Sequence, residues 1–96
     1  MKIRLKKRAR IEAGQAYRWY ANVNPKSAAA FAEQVELTMK RMLEHPLAGA
    51  PYLANTRRLR IGGFPYWIVY RVAARSIVVY AVVHERRLPG YWVGTQ

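Results

Sequence analysis

Hydrophobic and polar residues alternate with period two over Lys2 to Lys7, with Lys2, Arg4 and Lys6 on one side and Ile3 and Leu5 on the other. This predicts a half-buried strand, and an outer row of cations suits a sheet edge because it discourages pairing with another sheet. From Ala9 to Ala21 the period lengthens. Ala9, Ala13, Ala16, Tyr17 and Tyr20 recur at helical spacing and predict a first helix, in which Gly14 costs about 1 kcal/mol relative to Ala. Asn24-Pro25 predicts a second helix start, because Asn caps free backbone N–H groups and Pro at the first helical position gives up no needed donor. The stripe Ala28, Phe31, Ala32, Val35, Met39, Met42 and Leu43 fits one helix face. Lys40 and Arg41 suit the negative end of the helix dipole, and Pro46 stops the helix. Two antiparallel helices joined through Asn22 to Asn24 follow.

After a loop over Leu47 to Asn55, the pattern becomes strand-like. Arg57 to Ile61 places Leu59 and Ile61 on one face and Arg58 and Arg60 on the other. Gly62-Gly63-Phe64-Pro65 interrupts it, and Tyr66 to Val72 and Ile77 to His84 resume with β-branched and aromatic residues. The fold class is therefore α+β, as one domain over residues 1–96: a strand, a two-helix hairpin, then a three-stranded antiparallel meander with the helices on one face. The last two strands are apolar on both sides. If Tyr66, Ile68, Tyr70 and Val72 face the helices, Trp67 and Val69 face away, and Ile77, Val79, Ala81 and Val83 oppose Val78, Tyr80 and Val82. One helical layer covers one face. The second face is expected to be an apolar patch that a partner covers.

Composition sharpens that expectation. Seventeen Lys and Arg against five Glu and no Asp give +12 over 96 residues, so the chain attracts polyanions or an acidic protein. With two His, no Cys and five scattered carboxylates, ligands for a metal site are scarce, and no cofactor or metal is expected. The basic N-terminus is not followed by an apolar signal core. The longest apolar run, Ile77 to Val83, is far short of the ~20 residues of a spanning helix, which leads to the expectation of a cytoplasmic protein without membrane association.

Candidate chemistry is concentrated in arginines. Arg57, Arg58 and Arg60 surround one strand, and Arg86 and Arg87 precede Tyr91 and Trp92. Arginine interleaved with aromatics holds phosphates and stacks on bases, although a solvated basic face that answers an acidic partner is the plainer reading. His84 could serve as a general base, but a His at a strand end more often caps or packs. His45 reads as a helix-end dipole partner. Ser27, Ser76, Thr38, Thr56 and Thr95 lack a His–carboxylate context for nucleophilic catalysis, and no glycine-rich phosphate loop is present.

The helix from Asn24-Pro25 to Leu43, His45-Pro46-Leu47-Ala48-Gly49, Arg58-Leu59, the strand Phe64-Pro65-Tyr66-Trp67-Ile68-Val69-Tyr70 and the ending His84-Glu85-Arg86-Arg87-Leu88-Pro89-Gly90-Tyr91-Trp92 together resemble toxins of the RelE/ParE superfamily. The resemblance covers nearly the whole chain and implies a type II toxin with a cognate acidic antitoxin in a hetero-oligomer. RelE-like members cleave translated messenger RNA on the ribosome without a metal, using an arginine on the third strand. This chain has Trp67 there, which argues against catalysis. If it were such an endoribonuclease, Arg60, Arg86 and Tyr91 would carry the reaction. The ParE-like branch, whose members inhibit DNA gyrase without an active site of their own, fits better. On that reading Arg57, Arg58, Arg60, Arg86, Arg87, Tyr91 and Trp92 contact the target or nucleic acid, and Trp67, Val69 and Tyr70 contact the antitoxin. A small nucleic-acid-binding module is the third reading.

Overall fold

One extended residue separates the two helices. In the computed structural model, which describes residues 1–95 without the Thr95 side chain, helix α1 spans Lys7–Val23 and helix α2 spans Pro25–Glu44. Between them Asn24 adopts φ −163° and ψ 117°. Its N–H closes α1 on the Tyr20 carbonyl at 2.8 Å, and its side-chain oxygen accepts from the Lys26 N–H at 2.9 Å. The expected three-residue connection is thus a single residue that ends one helix while capping the next.

The strands are β1 (Lys2–Leu5), β2 (Ala50–Tyr52), β3 (Thr56–Arg60), β4 (Tyr66–Val72) and β5 (Ser76–His84), in a five-stranded sheet of order β1-β5-β4-β3-β2. Strands β2 to β5 form an antiparallel meander, while β1 pairs parallel to β5. A parallel partner requires a crossover, and the helical hairpin supplies it. The first strand is an edge, as its cations predict. Strand β2 lies inside the segment read as a loop. Three residues are too few to show a period, and its Pro51 is tolerated because β2 is the opposite edge.

Strand β5 contains a bulge that changes its parity. Val69 pairs with Ala81 and Tyr70 with Val79, so Tyr80 has no partner across the ladder. Such an insertion puts two successive side chains on one side. Tyr80 and Ala81 both face away from the helices, and Val82 faces them. The alternation expected for Ala81 and Val82 is reversed here, because a simple period-two count cannot register the extra residue.

On the helix side the core joins Phe31 and Met42 to Ile61, Ile68, Tyr70, Ile77 and Val79. Phe31 and Phe64 pack edge to face with centroids 5.2 Å apart, and Tyr20 meets Phe64 at 5.0 Å. Tyr70, expected at the antitoxin surface, is fully buried here. Its hydroxyl accepts from the Gly49 N–H at 2.8 Å and donates to the Pro46 carbonyl at 2.9 Å, locking the segment after α2 onto the sheet. A Cβ at Gly49 would lie 2.6 Å from that hydroxyl and 2.8 Å from the Arg58 carbonyl. Gly49→Ala is therefore expected to cost about 1–3 kcal/mol through overpacking, read as a lower urea midpoint. An unchanged midpoint would mean that the loop shifts freely.

The second face is not bare. Trp92, read from sequence as a target contact, is 1% exposed and packs with Val69, Tyr80, Ala81 and Val83. Its ring stacks on Tyr80 at 6.4 Å and lies 6.2 Å from Tyr52. The chain reverses after β5 through Arg87 N–H to His84 carbonyl at 2.9 Å, then through Gly90 at φ 80°. Tyr91 and Trp92, returning after this turn, thus cover much of the patch expected to await a partner. Val69, expected at the antitoxin contact, is buried beneath them.

Candidate functional site

Strand β3 presents Arg58 to the helix-free face, between two rings of neighbouring strands. Its guanidinium carbon lies 4.5 Å from the Tyr52 centroid and 4.2 Å from that of Trp67. Arg60, directly opposite Trp67 in the ladder, lies 5.4 Å from the same ring and pairs with Glu85 at 3.1 Å. That pair is about half exposed, so it contributes at most about 1 kcal/mol. Beside this stack a small cleft is lined by Arg58, Trp67, His84, Glu85 and Arg87. Trp67 faces away from the helices as the sequence parity predicts, with Arg58 and Arg60 beside it.

A second feature lies between α1 and the C-terminal turn. The Tyr91 hydroxyl donates to Glu12, and the other Glu12 oxygen accepts from the Val82 N–H at 3.0 Å, next to the β5 bulge. Arg87 and Arg8 stand over the Tyr91 ring at 4.0 and 5.4 Å. The adjoining groove, of about 270 Å³, is walled by Gln15, Trp19, Tyr66, His84 and Arg87, and Trp19 on its rim is 59% exposed. Glu12 was missed by sequence reading because it resembles any glutamate of a surface helix. Its place three residues after Ala9 and four before Ala16, both buried, was the signal available.

Burial pushes the Tyr91 phenol above its ordinary range, helped by the hydrogen bond to Glu12 and that residue's charge, against weaker downward pulls from Arg87 and Arg8. In the unfolded chain a phenol ionises at about pH 10. Below that pH the contribution of Tyr91 to stability is fully present. Above it the unfolded state gives up a proton that the folded state retains, and stability falls as pH rises. Alkaline unfolding followed by circular dichroism should therefore be steeper for the parent than for Tyr91→Phe above about pH 10, and superimposable slopes would refute this coupling.

The remaining sequence candidates separate. Arg57 points to the other side, where its guanidinium donates to the Gly49 carbonyl at 2.8 Å, so it braces the loop after α2. Arg86 is exposed, and its N–H donates to His84 Nδ1 at 3.1 Å. The His84 ring meets Tyr66 edge to face at 5.1 Å, so this His organises the turn. Arg60 lies against Trp67 and Glu85, whereas the Tyr91 hydroxyl is directed to Glu12 on α1. Of the trio considered for ribonuclease chemistry, Arg60 and Tyr91 are thus engaged by different carboxylates, Glu85 and Glu12. Among the described residues there is no group of His, Cys, Asp and Glu that could hold a metal, and no helix is long and apolar enough to cross a membrane.

The fold recurs in a known protein. A chain of the chromosomal ParDE toxin–antitoxin system from P. aeruginosa superposes with a TM-score of 0.75 at 17% identity, covering 88% of this chain and 95% of that one; at this identity the likeness speaks for the fold. No curated protein sequence matches significantly. The family model described as the ParE toxin of the type II toxin–antitoxin system parDE matches residues 3–89, nearly every element from β1 through the turn after β5, and the chain belongs to that ParE toxin family.

Proposed function

We propose that this toxin acts without catalysis, by inhibiting DNA gyrase in the cytoplasm, and that a cognate acidic antitoxin neutralises it within a hetero-oligomeric complex. The observation that carries the reading is the arrangement around Trp67. An aromatic ring stands on β4 where a cleaving relative has its arginine, and the Tyr91 hydroxyl is engaged by Glu12 of α1 in the neighbouring groove. A phosphoryl-cleaving site needs its charge-stabilising and proton-transferring groups aimed at one point. What remains is a basic surface, Arg58, Arg60, Arg86 and Arg87, suited to holding a target. The net charge of +12 supports an acidic antitoxin, since opposite charge speeds encounter and fixes orientation.

The test is a supercoiling assay with purified gyrase and purified toxin, run beside sequencing of message ends from cells expressing the toxin. Loss of supercoiling or accumulation of cleaved DNA, with messages intact, is the expected result. Codon-phased message cleavage with normal supercoiling would replace this reading by the ribosome-dependent one. Addition of a cognate acidic antitoxin should restore supercoiling.

A further inference from the structure

The helix-free face of the sheet carries more cations than the sequence cluster suggested. Ile3 and Leu5 pack into the helix-side core, so Arg4 and Lys6 of the β1 edge are turned to the other face, where they border Val78 and Tyr80. Lys6 Nζ stands 5.9 Å from the Tyr80 ring, and Arg71 on β4 approaches the same ring at 5.2 Å. With Arg58 and Arg60, four cations on β1, β3 and β4 share one face with Lys6 of the following link, and Glu85 at its rim pairs with Arg60. Adjacent strands are about 4.8 Å apart, so the row from β1 to β3 spans roughly 14 Å.

The chemistry of this face selects among polyanions. Tyr80 is capped by Lys6 and Arg71, Trp67 by Arg58 and Arg60, and Tyr52 by Arg58, while Trp92 is buried. A platform for single strands needs open ring faces on which bases stack, and these rings are occupied. An amphipathic acidic peptide needs exposed apolar area. The strands of this face expose no large apolar side chain, whereas Ile11, Trp19 and Val23 on α1 and Leu37 and Leu43 on α2 do. Among the described residues no hydrogen bond engages the stacked Arg58 guanidinium, whose plane the two rings fix, a geometry matched to phosphate oxygens.

We propose that this face is a sequence-independent docking surface for the phosphodiester backbone of duplex DNA, with Arg58 at its centre and Arg4 and Lys6 at its edge. In the cell the proposal rests on the gyrase reading, and it places the toxin on the DNA that gyrase holds as well as on the enzyme.

The experiment is fluorescence anisotropy of a short labelled duplex with purified toxin and no gyrase, over a series of salt concentrations. The parent should bind different sequences equally, with log K falling linearly against log salt. Arg58→Ala and Lys6→Ala should each weaken binding several-fold and reduce the slope by about 0.9, one phosphate contact each. Lys40→Ala, on the exposed surface of α2, controls for net charge and should leave both unchanged. Lys6 is exposed on the edge, so its substitution tests the face even if Arg58→Ala folds poorly. Equal losses from Lys40→Ala, tighter binding to a single strand or to polyglutamate, or no duplex binding would each overturn the proposal. Gyrase inhibition by the same variants separates the two ideas. A variant that no longer binds duplex yet inhibits gyrase as the parent does overturns the DNA contact and leaves the gyrase reading standing. Duplex binding without gyrase inhibition by the parent retains the surface and refutes the target.

Discussion

Trp92→Ala is expected to remove about 3–5 kcal/mol of stability, a large share of the roughly 5–15 kcal/mol that holds a domain folded. Trp92 is 1% exposed and is the largest fully buried side chain of the protein. Beneath it lie Val69, Tyr80, Ala81 and Val83, on two paired strands that cannot move inward because the helix-side core fills the other side of the sheet. The site therefore collapses poorly, the condition under which a large-to-small change costs most. Urea unfolding monitored at a far-ultraviolet band gives the measurement, with Trp92→Phe as the milder companion. A loss below about 1 kcal/mol would show that the last turn is laid loosely over the sheet. Exposed Val69 and Val83 should also make Trp92→Ala bind a hydrophobic dye that the parent ignores.

The sequence made the helices, the three long strands and the edge position of β1 readable, because each carries a period over enough residues to be counted. Asn24-Pro25 and Pro46 marked boundaries for reasons of backbone chemistry, and both hold. Three features had no such signal. Strand β2 exists through its register with β3, Ala50 opposite Arg58 and Tyr52 opposite Thr56, which three residues cannot announce. The bulge at Tyr80 is a property of the pairing between β4 and β5. Trp92 follows a Pro-Gly turn in a stretch too short to be periodic, so its return onto the sheet was visible only in three dimensions.

The site was legible to the same depth. Strand parity placed Trp67 with Arg58 and Arg60 correctly, since all three depend only on alternation within one strand. The same parity put Tyr70 on the helix face, and naming it as a surface contact went against that logic. Arg57 was grouped with its neighbours by sequence proximity, although its position opposite Arg58 in the pleat sends it to the Gly49 carbonyl. Arg4 and Lys6, legible only as a row of edge cations, join the face because β1 pairs with β5, and Arg71, outside every cluster along the chain, joins it from β4.

Glu12→Ala is expected to be the other severe change, at about 3 kcal/mol, from the loss of two hydrogen bonds to a carboxylate at about 1.5–3 kcal/mol each, offset by water entering a partly exposed site. Glu12 is the point where α1, the β5 bulge and the C-terminal turn meet: one oxygen serves the Val82 N–H and the other the Tyr91 hydroxyl. Removing it also leaves Arg8 and Arg87, both over the Tyr91 ring, without the negative charge beside that ring. Glu12→Gln keeps an oxygen for Val82 and an amide that can donate to the Tyr91 oxygen, so it should retain most of the stability lost in the alanine variant. A Gln variant as unstable as the Ala variant would assign the effect to charge instead of hydrogen bonding. Because this clamp sets the turn carrying Arg86 and Arg87, Glu12→Ala should also weaken growth arrest at temperatures where the protein remains folded, and full toxicity there would show that the turn needs no fixed position.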